Sequence, residues 1–237
     1  MAVRLLMGGP PADAAPAEGV LVDDLCGEEL QAVYEPPRLP WLRVNMVSTV
    51  DGAATGADGR TAAINNPADH RLFRLLRRMS DVIIVGAGTA RAEGYRPTDR
   101  PLVVVSGRGD VPPRLREAEP GSVLLATCAS APGLPDARKL LGDEGVLVVG
   151  DEAVDLAGLR QCLVDRGLRH QLCEGGPHLL RDLLAAGAVD EVDMTVVPRV
   201  VAGPQGRITA GGDLDVPLQL AALLEEDGTL FGRWLVG

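Results

Sequence analysis

The sequence predicts an α/β domain: a mostly parallel central sheet flanked by helices, with an antiparallel hairpin at its C-terminal end. Three observations predict it. From Trp41 onward, short runs of Val, Leu and Ile alternate with helix-period patterns, the order that buries a parallel sheet between two helical layers. Glycines follow two of those runs closely, as Gly86-Ala87-Gly88 and Gly175-Gly176, at the carboxyl edge where open sheets place their ligands. Late in the chain two apolar runs, residues 218–224 and 230–236, flank Glu225-Glu226-Asp227-Gly228, and an Asp-Gly step between such runs closes a hairpin.

Taken in order, residues 1–40 are rich in Ala, Pro, Gly and acids and read as an N-terminal extension, with residues 35–40 an extended lead-in. The domain is expected over residues 41–237, because neither a linker composition nor an internal repeat follows Pro40. Strands are expected at 42–47, 82–85, 102–105, 123–126, 146–149, 170–173 and 192–197, each a short aliphatic run bounded by turn residues. Helices are expected near 66–79, 136–141, 155–166 and 177–186. In the first of these Leu72, Leu75, Leu76 and Met79 form one stripe, and Arg71, Arg74 and Arg78 the opposite, solvated face. Asp69, Phe73 and Arg77 run along the flank between them. From that border Arg77 either faces a ligand or covers Phe73 with its stem.

Composition narrows the function. The 237 residues are 46% hydrophobic and 24% charged, with two each of Trp, Tyr and Phe, so the core is aliphatic. Against 23 bases stand 33 acids, and the net charge of −10 opposes binding to nucleic acid or anionic lipid. Cys26, Cys128, Cys162 and Cys173 form no Cys-x-x-Cys pair and the three histidines are scattered, so no metal site is expected. The thiols read as small buried hydrophobes in a reducing compartment. No apolar stretch approaches the roughly 20 residues of a membrane span, and the N-terminus lacks the charged-then-apolar order of a secretion signal. A cytoplasmic protein is expected.

Several segments carry candidate chemistry. The run 82–85 leads into Gly86-Ala87-Gly88-Thr89-Ala90-Arg91, a glycine turn where backbone amides can approach an anion. It resembles a dinucleotide fingerprint with Arg91 in place of the third glycine. The next run ends in Ser106-Gly107-Arg108-Gly109. Ser with Arg suits a ribose 2′-phosphate, where a carboxylate would suit a free hydroxyl, so the pattern leans to NADPH over NADH; an ordinary turn with an exposed Arg108 fits the same residues. After residues 170–173, Glu174-Gly175-Gly176-Pro177 opens a helix with Pro177-His178-Leu179-Leu180, whose positive end favours a phosphate. Glu174 faces a ligand there, or solvent. Between the first strand and first helix, the glycine-rich segment from Asp51 to Thr61 is either a lid or a long surface connection.

Four motifs in order, Val47-Ser48-Thr49-Val50-Asp51-Gly52, Asp81-Val82-Ile83-Ile84-Val85-Gly86-Ala87-Gly88-Thr89, Glu174-Gly175-Gly176-Pro177, and Val189-Asp190-Glu191 leading to Val197-Pro198, make a specific pattern. It resembles the reductase domain of the bacterial riboflavin-biosynthesis deaminase/reductase family, of the dihydrofolate reductase-like superfamily, from Arg43 to about Gly203. The resemblance implies a dihydrofolate reductase-like sheet with NADPH across its carboxyl edge, not a Rossmann turn. It assigns Val47, Thr89, Glu93 and Ser106 to the cofactor, and Gly176, Pro177, His178, Leu179 and Leu180 to its pyrophosphate. Thr61, Arg77, Arg96 and Glu174 would face the substrate, Arg77 meeting its phosphate. Ala63 stands where bifunctional relatives often carry Trp, which would reshape the pocket. The zinc-deaminase signature, His-x-Glu followed by Pro-Cys-x-x-Cys, is absent from the chain, so reduction alone is expected. Arg43-Val44-Asn45 and Ala92-Glu93-Gly94-Tyr95 resemble a stand-alone actinobacterial branch. A homodimer is also implied.

The implied activity is NADPH-dependent reduction of 5-amino-6-(5-phosphoribosylamino)uracil, hydride going to C1′ so that ribosyl becomes ribityl. Two alternatives stay open. One is a dihydrofolate or other pterin reductase, in which a carboxylate such as Asp69 binds the ring; the other is a catalytically silent NADPH-binding protein. Asp69 is the candidate carboxylate on the substrate side, and Asp51 is expected to shape a turn.

Overall fold

The computed structural model describes residues 3–8, 21–22 and 27–237. Its strands are β1 (Val3–Gly8), β2 (Leu21–Val22), β3 (Trp41–Thr49), β4 (Val82–Gly86), β5 (Leu102–Val105), β6 (Val123–Thr127), β7 (Val146–Val148), β8 (His170–Cys173), β9 (Glu191–Val197), β10 (Leu218–Glu226) and β11 (Thr229–Val236). The helices are α1 (Glu28–Tyr34), α2 (Pro67–Met79), α3 (Ala87–Ala92), α4 (Leu134–Leu141), α5 (Leu156–Asp165) and α6 (Pro177–Ala185). All the strands join one sheet in the order β2-β1-β10-β11-β9-β3-β8-β4-β5-β6-β7. From β9 to β7 every pairing is parallel; β11, β10, β1 and β2 continue it antiparallel. The expected fold class is therefore the one found. Among the described residues, no helix is long and apolar enough to cross a membrane.

Period-two alternation explains how the parallel part is buried on both faces. Val82 and Ile84 join the core under α5 and α6, whereas Ile83 and Val85 join the one under α3 and α4. On α2 the stripe expected from the sequence is the buried one, with Leu72, Leu75 and Leu76 at most 2% exposed, each worth roughly 1.5–3 kcal/mol of burial. The helix starts where the Asn66 side chain accepts from the Asp69 N–H and Pro67 takes the first turn. The C-terminal hairpin turns on Asp227 and Gly228, both at positive φ (50° and 77°), as its Asp-Gly step requires.

Four elements escape the sequence reading. The N-terminal extension contributes β1, β2 and α1: β1 pairs with β10 more than two hundred residues away, and α1 packs Leu30 and Val33 with α2, Leu224 and Phe231. A local pattern carries no trace of so distant a partner. Gly86–Arg91 is not a loop, since β4 ends at Gly86 and α3 starts at Ala87; six residues are too few to show a helical period. Cys128 and Cys173 are buried free thiols and Cys162 is half-buried; Cys26 lies outside the described residues.

The sheet also encloses charge. Arg43 on β3, Glu191 and Asp193 on β9, and Arg233 on β11 are each at most 5% exposed. Arg233 donates to Glu191 Oε2 from Nε (2.9 Å) and Nη2 (2.8 Å), Trp41 Nε1 donates to the same oxygen (3.0 Å), and Arg43 Nη2 lies 3.0 Å from Oε1. The two guanidiniums reach on to α1, Arg43 to the Tyr34 carbonyl (2.5 Å) and Arg233 to that of Val33 (2.6 Å). Burial opposes its charge, but Arg43 and Arg233 hold Glu191 below the usual carboxylate range. Burial and the neighbouring Glu191 push Asp193 well above it.

Candidate active site

The carboxyl ends of β3, β4, β5 and β8 form a rim with two cavities, one of about 400 Å³ and one of about 830 Å³. Thr89 lines both, so they meet at the first turns of α3.

The smaller cavity is walled by the end of β3 (Asn45, Met46, Val47), the flank of α2 (Asp69, Phe73, Arg77), the segment Glu93–Thr98 and Glu174. Arg77 donates twice to Glu174, Nε to Oε1 (2.6 Å) and Nη2 to Oε2 (2.7 Å), and the Tyr95 hydroxyl donates to Oε2 as well (2.7 Å). The Arg77 guanidinium also lies 4.3 Å from the centre of the Phe73 ring, a favourable cation–π distance. Helix geometry left two alternatives for Arg77, facing a ligand or covering Phe73; it does cover Phe73, and its side chain also lines the cavity. Asp69 is 2% exposed on the cavity wall, its Oδ1 buried with no hydrogen-bond partner among the described residues. Burial raises its pKa, and the nearby Thr195 and Asn65 side chains offset this in part. The segment after β3 lines this cavity with Ala54, Thr61 and Ala62. It is tied down where Thr61 N–H donates to Glu93 Oε1 (2.8 Å) and Ala54 N–H to the Gly206 carbonyl (2.8 Å). Asp51 shapes the turn before it, accepting from the Thr49 hydroxyl and from the Ala202 N–H (2.8 Å), and those donors hold its carboxyl low.

The larger cavity lies where two glycine-bearing strand ends meet the first turns of α3 and α6. Gly86, Gly88, Ser106, Arg108, Gly176, Pro177, His178 and Leu179 line it, opposite the turn Glu152–Leu156. A side chain on Gly176 would collide with the Thr89 hydroxyl, whereas one on Gly88 would project into open space. The first turn of α6 has no side-chain cap and no acid, so its free amides and positive end suit an anion. Ser106 is 7% exposed and accepts from the Asp110 N–H (3.1 Å), leaving its hydroxyl proton to donate. Arg91 and Arg108, both exposed, have no ion pair among the described residues, while Asp155 caps α5 and Asp182 pairs with Arg181. These groups fit a dinucleotide: amides for its pyrophosphate, and a hydroxyl with a guanidinium for a 2′-phosphate.

The structure gathers Thr61, Asp69, Arg77, Arg96 and Glu174 on the smaller cavity, together with Val47 and Glu93; Thr89 stands at the junction. Three of the expected residues line neither cavity. Leu180 stays in the core at 1% exposure with its N–H donating to the Gly176 carbonyl (2.9 Å), so it lines neither cavity. Gly175 also lies behind the lining, its carbonyl accepting from the Gly86 N–H (2.8 Å). Ala63 lines neither cavity and packs on Gly56. Sequence reasoning missed Tyr95, Asn45, Asn65 and the Glu152–Leu156 turn as parts of the site; no periodicity or glycine pattern marks them.

Fold and paired clefts together are those of an oxidoreductase, with groups in the larger cleft that fit a dinucleotide. The chain belongs to the RibD C-terminal domain family, whose model matches residues 40–227. It is 31% identical over 186 residues to the 2,5-diamino-6-ribosylamino-4(3H)-pyrimidinone 5′-phosphate reductase of Methanothermobacter thermautotrophicus, covering 73% of this chain and 85% of that one. The Archaeoglobus fulgidus protein of the same name is 29% identical over 192 residues, covering 73% of this chain and 87% of that one. Among solved structures, a pyrimidine reductase-like protein from Corynebacterium diphtheriae superposes with a TM-score of 0.73 at 24% identity, over 84% of this chain and 92% of that one. That likeness shows the fold. The family match begins at residue 40, whereas the sheet itself extends back to Val3.

Proposed function

We propose that the protein reduces 5-amino-6-(5-phosphoribosylamino)uracil to its ribityl product with NADPH. The observation that carries this is the meeting of the two clefts at Thr89, one lined by free backbone amides and the other holding Arg77 on Glu174. The bound cofactor would supply the hydride from its nicotinamide C4. Gly176, Pro177, His178 and Leu179 would hold the pyrophosphate, Ser106 and Arg108 the 2′-phosphate, and Val47, Thr89 and Glu93 the nicotinamide end. Arg77 and Arg96 would take the substrate phosphate, with Thr61 and Glu174 orienting the ribosyl chain. The protein's work is to fix donor and acceptor carbons in register. No triad is needed, and the proton for the new N–H can come from water. The reading includes a cytoplasmic homodimer; sedimentation at the mass of a single 24.8-kDa chain would remove that part of it.

A second reading is favoured by one observation. Asp69 offers a buried, unpartnered carboxyl oxygen beside Asn65, and such a group suits the N–H edge of a 2-amino-4-oxo ring, as in a pterin or in the diaminopyrimidinone for which the archaeal relatives are named. The test is an assay of NADPH absorbance with the phosphoribosylamino-uracil, its 2-amino counterpart and dihydrofolate. Fastest turnover of the uracil supports the first reading, and fastest turnover of dihydrofolate replaces it by the pterin reading. In the first case Arg77→Ala should raise KM by about 100-fold, as expected for the loss of a charge-assisted phosphate contact of roughly 2–3 kcal/mol. An unchanged KM would remove Arg77 from the phosphate.

A further inference from the structure

The Arg77–Glu174 pair poses a problem for the phosphate role given to it above. A guanidinium that spends Nε and Nη2 on a carboxylate has its charge balanced, and a balanced arginine is a weak site for a dianion. Two features restore it. Nη1 of Arg77 has no hydrogen-bond partner among the described residues, although the side chain lines the cavity. Glu174 in turn receives a third hydrogen bond, from the Tyr95 hydroxyl (2.7 Å). A donor on the carboxylate draws off part of its charge and leaves more of the arginine's field to a ligand. It also fixes the carboxylate plane, and with it the guanidinium plane that the fork geometry imposes. Phe73 at 4.3 Å and the Tyr95 ring at 5.9 Å confine the guanidinium further.

The backbone holds Tyr95 in place for this. α3 ends with Glu93 N–H donating to the Thr89 carbonyl, Gly94 follows at φ +69°, and Tyr95 N–H returns to the Ala90 carbonyl (2.9 Å). This is the usual way a helix stops on a glycine in the left-handed region. It points the next residue back across the end of β8. Burial, and then Glu174, push the Tyr95 phenol well above its usual range, so it stays a donor at all working pH values.

We propose that Tyr95 is a positioning residue for anion binding: through its hydroxyl on Glu174 it holds Arg77 with Nη1 free for the phosphate of the ligand. The inference rests on the reading of the smaller cavity as the substrate site, and the experiment separates the two. Binding of D-ribose 5-phosphate to the full-length protein is measured for wild type, Arg77→Ala and Tyr95→Phe, with NADPH affinity and melting temperature as controls. Tyr95→Phe keeps the ring and removes the hydroxyl alone. It should weaken ribose 5-phosphate five- to twentyfold while NADPH affinity stays within twofold; in turnover KM should rise by the same factor with kcat within twofold. Unchanged ribose 5-phosphate binding in Tyr95→Phe, with binding lost in Arg77→Ala, overturns the inference and leaves the substrate reading standing. No effect of Arg77→Ala, or no binding by the wild type, overturns both. Loss of NADPH affinity and of ribose 5-phosphate affinity together in Tyr95→Phe would show a general structural role and overturn the inference too.

Discussion

Arg233–Glu191 and Arg77–Glu174 are built from the same two groups and joined through the same Nε and Nη2 donors, but Arg233 puts both on one carboxylate oxygen whereas Arg77 spans the two. In the first pair the side chains are 7% and 0% exposed; in the second Glu174 is just as buried at 2%, but Arg77 is 27% exposed. The sealed pair spends its remaining donors on the carbonyls of α1 and locks that helix to the sheet. Nearby, Nε and Nη1 of Arg43 find no aligned partner, and inside the sheet an unsatisfied donor is a cost that no ligand can relieve. At the cavity wall the same unspent valence is open to a ligand. Burial of charge therefore does not mark function; an unpaired donor that a ligand can reach does.

Breaking the sealed cluster should have the largest effect. Glu191→Ala leaves two buried guanidiniums uncompensated, so denaturant unfolding should show a loss of about 3–5 kcal/mol; a loss under about 1 kcal/mol would mean that the cluster is hydrated. Next comes the contrast between side-chain and backbone recognition. Gly176→Ala drives a methyl group onto the Thr89 hydroxyl, and NADPH titration should show affinity down by roughly ten- to a hundredfold, about 1.4–2.7 kcal/mol, with ribose 5-phosphate binding retained. Equal loss of both ligands would mean that the two clefts are one site. Smaller again, Arg108→Ala should cut the preference for NADPH over NADH by about tenfold, the scale of one exposed charge-assisted contact; if the ratio of the two affinities holds, the 2′-phosphate lies elsewhere.

Acidification probes the sealed side of the comparison separately. Burial, helped by Arg43, lowers the His170 pKa from 6.5 to about 4. Between those values the unfolded chain binds the extra proton, so stability falls as pH drops from 6.5 towards 4. Glu191, held low, adds to that loss as pH falls through the carboxylate range, whereas Asp193, held high, works the other way: its contribution is full at low pH and is lost as pH rises through its folded value. Melting temperature should decline between pH 6.5 and 4.5, and His170→Gln should flatten the decline; an equally steep curve in the variant would exonerate the histidine.

Much of this molecule could be read from local pattern. The strands from β4 to β7 show themselves because a strand buried on both faces is mostly aliphatic, and the final hairpin because its turn needs residues tolerant of positive φ. The backbone cleft was legible as well, since glycines and a helix-opening proline next to a strand end have few other uses. Arg77 and Glu174 could each be suspected, one from its place on the border of α2 and the other from its place at the end of β8.

Their partnership was not legible, nor was Tyr95, and neither was the charged cluster that anchors α1. Periodicity reports which face of one element is buried, whereas Tyr95 and Glu174 are seventy-nine residues apart and meet only because α3 stops on Gly94 beside the end of β8. β1 likewise has no local signature, because its pairing with β10 is long-range. Short-range spacing set the elements and the residue types available at their ends. Packing of the sheet chose which of those side chains would be sealed in and which would keep a bond free for a ligand, because that depends on neighbours drawn from the whole length of the chain.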